Sequence, residues 1–371
     1  MLEVADIVRA AGPAYREAYG PRLLPSHRRA LDDLATCRTA ARGGHLRRCD
    51  HCDESEYQYH SCRNRHCPKC HGEQTRRWLD LHRARLLPCP YFLVTFTLPD
   101  DLRAVARSHQ RTVYGALVRA AAETLLTLAA DPQHLGARPA ILAVLHTWTQ
   151  DLRYHPHVHV LVTAGGLAPD GTRWVPTPRP DFLFPGYVLS PVFRGKLRQA
   201  LRQAGLLDQV APDIWTRDWV VHVQAAGSGQ QVLEYLGRYV FRIAITNSRL
   251  EHFDQGRVTF RYRDRRDGHT TRRTLPAHQF LARFLQHVLP RGFAKVRHYG
   301  LASPTCRRQL EAARSALPLA PPPVPSSSAP NDPAPTTDTE RVVLRDADRC
   351  PHCHVGRLHI VAILPRPRHP P

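Results

Sequence analysis

Apolar residues recur at helical spacing in five stretches of this 371-residue chain. Such spacing places them on one face of a helix, which can pack against a core while the opposite face meets water. In the first stretch, Leu23, Leu24, Leu31 and Leu34 form one stripe. The predicted helices cover residues 1–36, 73–88, 99–125, 190–207 and 276–288. Ser190 is a candidate N-cap of the fourth helix, and Gly205 is its candidate stop.

Other apolar residues alternate with polar ones or form short β-branched runs, a pattern that is typical of strands. The Asp170-Gly171 and Asp267-Gly268 dipeptides favour hairpin turns. The predicted strands cover residues 91–98, 139–149, 155–162 and 217–224, with a further basic hairpin over 257–275. Helices and hairpins mixed in this way predict an α+β protein.

The chain is strongly basic, since 52 Lys and Arg against 32 Asp and Glu give a net charge of +20. This excess predicts a polyanionic partner, with nucleic acid as the first candidate. An anionic membrane surface is the alternative, but the sequence has no apolar run long enough for a membrane span. The N-terminus also lacks the pattern of a signal peptide, so we expect a cytosolic protein.

Basic residues are densest between residues 238 and 308, where 16 Lys and Arg against 4 Asp and Glu leave +12. A charged run is usually only a solvated face. Here it is interleaved with the aromatic residues Phe260, Tyr262, Phe284, Phe293 and Tyr299. Cations combined with stacking surfaces favour single-stranded nucleic acid.

Cysteines and histidines cluster between residues 37 and 71. Two knuckles, Cys49-x2-Cys52 and Cys67-x2-Cys70, predict a four-thiolate zinc site. A second zinc site is left open, because Cys62 or His66 could instead enter the first. The residues available for that second site are Cys37, His45, Cys62 and His66.

Cationic residues lie just before and within the second of these knuckles. Arg63, Arg65 and Lys69 are therefore expected to contact DNA from the zinc scaffold, although a purely structural zinc site is the alternative. Near the C-terminus, Cys350 and Cys353 form a further pair. That pair is either half of another zinc site or a solvent-exposed thiol pair.

Alternation along the strand 155–162 places His157 and His159 on one face and apolar residues on the other. Two neighbouring imidazoles form half of a metal site, although a solvated polar strand face is the alternative. Gln150 is the candidate third ligand, because an amide oxygen suits Mg²⁺ or Mn²⁺. His146 and His155 are alternatives, and ligand type alone leaves the identity of the ion open.

Tyr235 and Tyr239 are four residues apart, so on a helix they share one face. They could be two core tyrosines. Together with an ion site, they instead favour phosphodiester cleavage, in which a phenol attacks phosphorus. Arg238 and Arg242 lie beside them and are candidate phosphate ligands.

These motifs together resemble the two-tyrosine HUH transposases of the IS91 type. In HUH endonucleases a His-hydrophobe-His pair holds a divalent ion against the scissile phosphate. The similarity extends over residues 20–300. The segments that carry it are His60–Cys70, Phe96-Thr97-Leu98-Pro99, His146-Thr147-Trp148, His155-Pro156-His157-Val158-His159, Tyr235-Leu236-Gly237-Arg238-Tyr239 and His287-Val288-Leu289-Pro290-Arg291-Gly292-Phe293.

The resemblance implies an N-terminal zinc module and a catalytic domain built on an antiparallel sheet flanked by helices. It also implies structural zinc, catalytic Mg²⁺ or Mn²⁺, and single-strand transfer through a 5′-phosphotyrosine. The expected partners are single-stranded DNA at element ends, target DNA and a host helicase, at the nucleoid. The expected domains are 1–88 (zinc-binding), 89–250 (catalytic), 251–315 (basic extension), 316–340 (disordered linker) and 341–371 (tail).

Two other classes of protein compete with this interpretation. His-x-His also supplies metal ligands in barrel hydrolases, but the barrel fold needs repeated strand–helix units. A zinc-finger regulator without catalytic activity would need neither the tyrosine pair nor the histidine strand. We therefore expect an enzyme that acts on DNA.

Overall fold

A computed structural model describes residues 1–70, 78, 85–228, 243–264, 267–318 and 348–367. These residues form two compact units. The first unit combines the N-terminal residues with residues 243–288 and with the C-terminal residues from 348 onward. The second unit consists of the described residues between 78 and 228 together with 289–318.

Seven α-helices occur among the described residues. They are α1 Val4–Tyr19, α2 Pro25–Thr36, α3 Arg103–Ser108, α4 Gln110–Ala130, α5 Gly186–Gln203, α6 Ala277–Leu285 and α7 Arg307–Ala316. Most of the predicted helix 73–88 and the predicted linker from residue 319 onward lie outside the described residues.

The described residues also contain thirteen strands. They are β1 Gly44–Cys49, β2 Ser55–Tyr59, β3 Pro90–Thr97, β4 Ala140–Trp148, β5 Tyr154–Thr163, β6 Gly165–Leu167, β7 Trp174–Pro176, β8 Val221–Ser228, β9 Leu250–Asp254, β10 Arg257–Arg263, β11 Thr270–Pro276, β12 Val296–Gly300 and β13 Leu358–Leu364. Every pairing between these strands is antiparallel, so the predicted fold class is confirmed.

The first unit contains two three-stranded sheets, in the orders β13-β1-β2 and β11-β10-β9. The first sheet joins the two ends of the chain, since Cys49 on β1 is opposite Leu358 on β13. This pairing makes the unit discontinuous, whereas the sequence suggested consecutive domains with a separate tail. The predicted boundaries themselves stay predictions.

The second unit is organised around a five-stranded sheet in the order β12-β4-β5-β3-β8. Strand β5 lies at its centre, between β4 and β3. The even-numbered valines of β5, Val158, Val160 and Val162, are fully buried in the main core with residues of α4 and α5. The odd-numbered side chains therefore point to the opposite face of the sheet.

Helix α4 shows how this core is built. It is long and apolar enough to cross a membrane by length and composition, and among the described helices it alone passes that test. However, 67% of its most apolar window is buried inside the protein. Tyr114, Leu117 and Leu125 of this helix are fully buried in the same core as the β5 valines.

Two local predictions were wrong. Ser190 lies inside α5 rather than at its start, and its hydroxyl accepts a hydrogen bond from the Trp219 backbone at 2.8 Å. The helix begins earlier, at Gly186, directly after Pro185 in an extended conformation. Leu24 is 44% exposed, since it precedes α2 in an extended conformation and leaves the leucine stripe.

The expected aromatic stacking surface is also smaller than predicted. Phe260, Phe284 and Phe293 are buried core residues. Tyr262 and Tyr299 are only half-buried. Large apolar rings without a polar group gain most by complete burial, so the two tyrosines are what remains for contact with a ligand.

Candidate metal centres

Three histidines converge on the face of the central sheet opposite the main core. His157 and His159 alternate along β5, and His146 on β4 lies directly opposite His157. One ring nitrogen from each residue lies within 4.8 Å of the corresponding nitrogens of the other two. Three nitrogen ligands on two rigid strands can hold one divalent cation and leave positions open for a substrate.

The register of the strands extends this polar face across the sheet. His159 lies opposite Thr95 on β3, and Thr95 lies opposite His222 on β8. Residues directly opposite each other in neighbouring strands share a face, so these three side chains form one row. His222 was not identified from the sequence, because only the pairing of β8 with β3 brings it to this face.

Hydrogen bonds orient the imidazoles of His157 and His159. His157 Nδ1 lies 2.7 Å from the His155 carbonyl oxygen, which can only accept, so Nδ1 carries the proton. His157 Nε2 is then the unprotonated nitrogen, which is the form of an imidazole nitrogen that binds a cation. His159 Nδ1 lies 3.1 Å from the Thr95 hydroxyl, which can accept its proton in the same way.

An aromatic and a cation border the histidines. The His146 ring is stacked on Trp148 with centroids 4.7 Å apart. The Lys295 ammonium lies 5.0 Å from the centroid of the Trp148 ring. A stacked indole and an ammonium beside a cation site suit a substrate that has both bases and phosphates.

The candidate third ligands are placed differently from one another. His146 is 3% exposed and belongs to the histidine cluster. Gln150 lies in the turn after β4, because the strand ends at Trp148, so the strict alternation assumed from the sequence stops before it. The Arg103 guanidinium lies 2.7 Å from His155 Nδ1, and His155 is outside the cluster.

Four cysteines of the N-terminal module form a second centre. Cys37, Cys62, Cys67 and Cys70 each offer a sulfur to one point. Their Sγ atoms are separated by 3.5 Å between Cys37 and Cys70 and by 3.6 Å between Cys62 and Cys70. Tetrahedral zinc with Zn–S bonds of about 2.3 Å needs sulfur separations of about 3.8 Å, so the four thiols fit zinc.

The surroundings of this centre stabilise a thiolate at two of its four cysteines. The Asn64 backbone N–H lies 3.4 Å from Cys62 Sγ, and the Cys62 N–H lies 3.5 Å from Cys37 Sγ. The hydrogen bond with the Cys62 thiol, followed by that with Cys67, lowers the pKa of Cys37 to about 7. The hydrogen bond with Cys37 likewise lowers the pKa of Cys70, whereas it raises the pKa of Cys62 and of Cys67. Cys37 and Cys70 are therefore the members of the set that favour the thiolate, the form that binds metal.

The predicted grouping of the cysteines was therefore wrong. Cys67 and Cys70 do not join Cys49 and Cys52. Cys49 and Cys52 instead meet Cys350 and Cys353. The physical reason is the pairing of β1 with β13, which brings the C-terminal knuckle to the first one and leaves Cys67 and Cys70 to the nearer Cys37 and Cys62.

The remaining histidines of the predicted second site are not part of either cysteine set. His45 lies on β1 with its ring edge-on to His60 at 4.8 Å between centroids. The His66 backbone N–H donates to Asn64 Oδ1 at 2.9 Å, within the loop that carries Cys62 and Cys67. Four thiols already complete the set around Cys37, so neither imidazole is needed.

The three cations expected on the zinc scaffold differ in exposure. Arg63 is exposed, whereas Arg65 is half-buried and its burial lowers the pKa of the guanidinium. The Lys69 side chain is only 16% exposed and lies 2.6 Å from a Glu3 carboxylate oxygen. Lys69 is therefore held within the module by an ion pair rather than presented as an exposed cation.

The predicted nucleophiles lie between strand β8 and Ile243 along the chain. Tyr235, Tyr239, Arg238 and Arg242 all lie outside the described residues, which resume at Ile243. Their roles stay predictions of the sequence. Strand β8, which contains His222, ends at Ser228, seven residues before Tyr235 along the chain.

Comparisons with known proteins identify two matching families. Residues 140–309 match a family described as "Putative transposase", and residues 7–98 match a "Transposase zinc-binding domain". The first segment contains all three clustered histidines. The second contains Cys37, Cys62, Cys67 and Cys70, so structural zinc in the N-terminal module is supported by both the family and the geometry. Neither segment extends to Cys350.

Two curated proteins are similar over most of their length. The chain is 40% identical to "Putative transposase y4qJ" of Sinorhizobium fredii, with 100% of this chain and 97% of that protein covered. It is 31% identical to the transposase for insertion sequence element IS801 of Pseudomonas savastanoi pv. phaseolicola, with 73% of this chain and 68% of that protein covered. No solved structure matches the chain.

Proposed function

Since this chain belongs to the IS91-type transposases, we propose that it cleaves single-stranded DNA by tyrosine attack and moves the strand by rolling-circle transfer. The observation that carries this proposal is the cluster of His146, His157 and His159 on one rigid sheet face. An oriented group of imidazoles is what a metal-assisted phosphoryl transfer requires of its protein. A regulator that only binds DNA has no use for it.

The three imidazoles bind the cation and fix its place on the sheet. A divalent ion such as Mg²⁺ or Mn²⁺, when bound, supplies charge stabilisation at the scissile phosphate. His157 offers Nε2 because its Nδ1 proton is held by the His155 carbonyl. His159 is oriented through Thr95, and His146 completes the set from the neighbouring strand.

Tyr235 and Tyr239 are the proposed nucleophiles. In the cleavage step a phenol oxygen forms a bond to phosphorus while the bond from phosphorus to the 3′ oxygen breaks. The phenol loses its proton, the leaving oxygen gains one, and the products are a 5′-phosphotyrosine and a free 3′-OH. A phenol with an ordinary pKa of about 10 is also an adequate leaving group, which makes the step reversible and suits strand transfer.

The basic hairpin formed by β10 and β11 is the surface of the first unit that we propose binds single-stranded DNA. Tyr262 is half-buried, and the Arg273 guanidinium lies 5.2 Å from the centroid of its ring. The neighbouring Arg272 is 74% exposed although its Nε lies 2.7 Å from Glu251. A cation beside a partly open ring favours unpaired bases over duplex DNA.

The proposed reaction determines the expected partners and location. Its DNA substrates are the single-stranded ends of an element and a target site. We infer that a host helicase separates the strands, because no phosphate-binding loop of an ATP-driven motor occurs in the sequence. The reaction takes place on the chromosome, so the expected location is the cytoplasm at the nucleoid.

The test uses labelled single-stranded DNA incubated with the full chain and Mn²⁺ or Mg²⁺. We expect nicked product and a covalent protein–DNA adduct that survives denaturing electrophoresis. His157→Ala should abolish both while leaving DNA binding largely intact, because cations and aromatic groups carry the affinity. His134→Ala is the matched control, since His134 belongs to the same unit but packs edge-on to Phe184.

The same assay separates the rival functions. Cleavage without an adduct would indicate a metal-dependent hydrolase and would contradict the tyrosine mechanism. Binding without cleavage at any metal concentration would indicate a DNA-binding regulator. Cleavage by His157→Ala at the wild-type rate would show that the histidine face is structural.

A further inference from the structure

Four cysteines from the two ends of the chain meet in the first unit. Cys49 and Cys52 precede Cys350 and Cys353 by about three hundred residues along the chain. Their sulfurs nevertheless lie 3.7 Å apart for Cys49 and Cys353 and 3.7 Å apart for Cys52 and Cys350. These separations are close to the about 3.8 Å edge of a tetrahedral zinc site.

The two knuckles have matching backbone conformations. The residue directly after the second cysteine of each pair, Asp53 and His354, has a φ of 56°. Arg38 and Arg63, which follow Cys37 and Cys62 in the other cysteine set, have a φ of 54°. Non-glycine residues rarely adopt this left-handed conformation, so its repetition after cysteine is a shared structural requirement rather than chance.

Backbone N–H groups point at the sulfurs in both knuckles. The His51 N–H lies 3.4 Å from Cys49 Sγ, and the Gly356 N–H lies 3.4 Å from Cys353 Sγ. Such bonds stabilise thiolates, which repel one another unless a cation lies between them. Buried Cys49 and Cys350 are both 1% exposed, so water does not screen that repulsion.

Polar contacts fasten the two knuckles to each other. The Arg357 backbone N–H donates to Asp50 Oδ1 at 2.7 Å, and His359 Nε2 lies 3.1 Å from Asp50 Oδ2. The knuckles also approach too closely for any side chain at Gly356, where a Cβ would lie 2.6 Å from Cys49 Sγ. The arrangement is therefore built around the convergence of the four sulfurs.

We propose that Cys49, Cys52, Cys350 and Cys353 bind a second structural zinc ion, which fastens the C-terminal segment to the N-terminal module. Each cysteine pair supplies half of the coordination sphere, and neither pair forms a closed site by itself. Strand β13 could then hold its place beside β1 although it returns from the far end of the chain. Both chain segments of the second unit therefore lie, along the sequence, between the two cysteine pairs that this zinc ion would join.

Zinc content of the full-length protein tests this grouping. Cys350→Ser with Cys353→Ser should lose one zinc equivalent per chain, and Cys49→Ser with Cys52→Ser should lose the same one. All four changes together should still lose only one, because the pairs share a site. Cys37→Ser with Cys62→Ser should lose a different equivalent. Cys89→Ser with Cys306→Ser is the control and should lose none, since neither residue belongs to a cysteine set.

Alkylation of the native wild-type protein gives a second measurement that does not depend on variants folding. With iodoacetamide and peptide mass spectrometry, we expect all four cysteines to be protected and to become reactive together after treatment with a strong chelator. Cys89 is the internal control, because burial raises the pKa of its thiol to about 12 and keeps it inert throughout. A parallel sample treated with a reductant alone distinguishes protection by metal from protection by disulfides.

Three outcomes would overturn the proposal. One is unchanged zinc content in the Cys350→Ser, Cys353→Ser protein. Another is alkylation of Cys350 and Cys353 at the same rate before and after chelation. If the protected thiols are released by a reductant instead of a chelator, the four cysteines form two disulfides and the zinc proposal is wrong.

Discussion

Thr95 lies directly opposite His159 across strands β3 and β5, and its hydroxyl oxygen is 3.1 Å from His159 Nδ1. When the hydroxyl accepts the Nδ1 proton, Nε2 is the nitrogen through which His159 can bind a cation. His157 is oriented in a corresponding way by the His155 carbonyl. The orientation of His159 therefore depends on a side chain, and that of His157 on a backbone carbonyl. Only the contact with the side chain can be removed by substitution.

We expect Thr95→Val to lower the apparent affinity for the catalytic ion by about 10- to 100-fold, because the isosteric change removes the partner of a ligating imidazole. Titration of Mn²⁺ in the single-strand cleavage assay measures this shift, and DNA binding without metal should not change. Thr97→Val is the control, since Thr97 faces His157, whose Nδ1 is already held by a carbonyl. Equal effects of the two changes would show that the hydroxyl has no orienting role.

His146→Ala and Gln150→Ala distinguish the two candidates for the third ligand. His146 belongs to the nitrogen cluster, so its loss should reduce the cleavage rate at saturating metal by at least about 100-fold. Gln150 lies beyond the end of β4, and its loss should have a smaller effect. Initial rates over a range of metal concentrations make the comparison. If Gln150→Ala is the more damaging change, the amide originally predicted is the ligand and His146 is structural.

Tyr235→Phe and Tyr239→Phe should each retain DNA binding, because only a hydroxyl is removed. Each should block complete transposition in a cell, since releasing one DNA end and capturing a second needs two nucleophiles. At least one single variant should still form a covalent adduct with a short oligonucleotide, and the double variant should form none. Mass spectrometry of the adduct peptide identifies the attacking residue. A DNA remnant on a residue outside 235–239 would exclude both tyrosines as nucleophiles.

Gly356→Ala should remove zinc from the cysteine set that joins the chain ends. The added Cβ would lie 2.5 Å from the His51 Cβ and 2.6 Å from Cys49 Sγ. Overlap of this size typically costs about 1–3 kcal/mol, and here it must be relieved by separating the knuckles. Zinc content and thermal unfolding measure the outcome. Gly20→Ala is the control, because nothing lies within 4 Å of a Cβ there.

The sequence by itself determined the features that depend on near neighbours. Alternation along one strand placed His157 and His159 on the same face, and the Cys-x2-Cys spacing identified each knuckle as half of a metal site. The strong strands β3, β4 and β5 were predicted to within a residue or two at either end. Each of these patterns repeats within a few residues, so local geometry is enough to produce it.

Only the tertiary structure decided which half-sites combine into one metal site. Cys52 meets Cys350, 298 positions away, instead of the nearer Cys67, because β13 pairs with β1. His146 joins His157 because the register of β4 against β5 puts them opposite each other, whereas ligand type alone favoured the amide oxygen of Gln150. Strand register is set by the burial of whole strand faces in the core. A motif of a few residues does not contain the strand register. The sheet therefore determines which residues come together to bind the same metal ion.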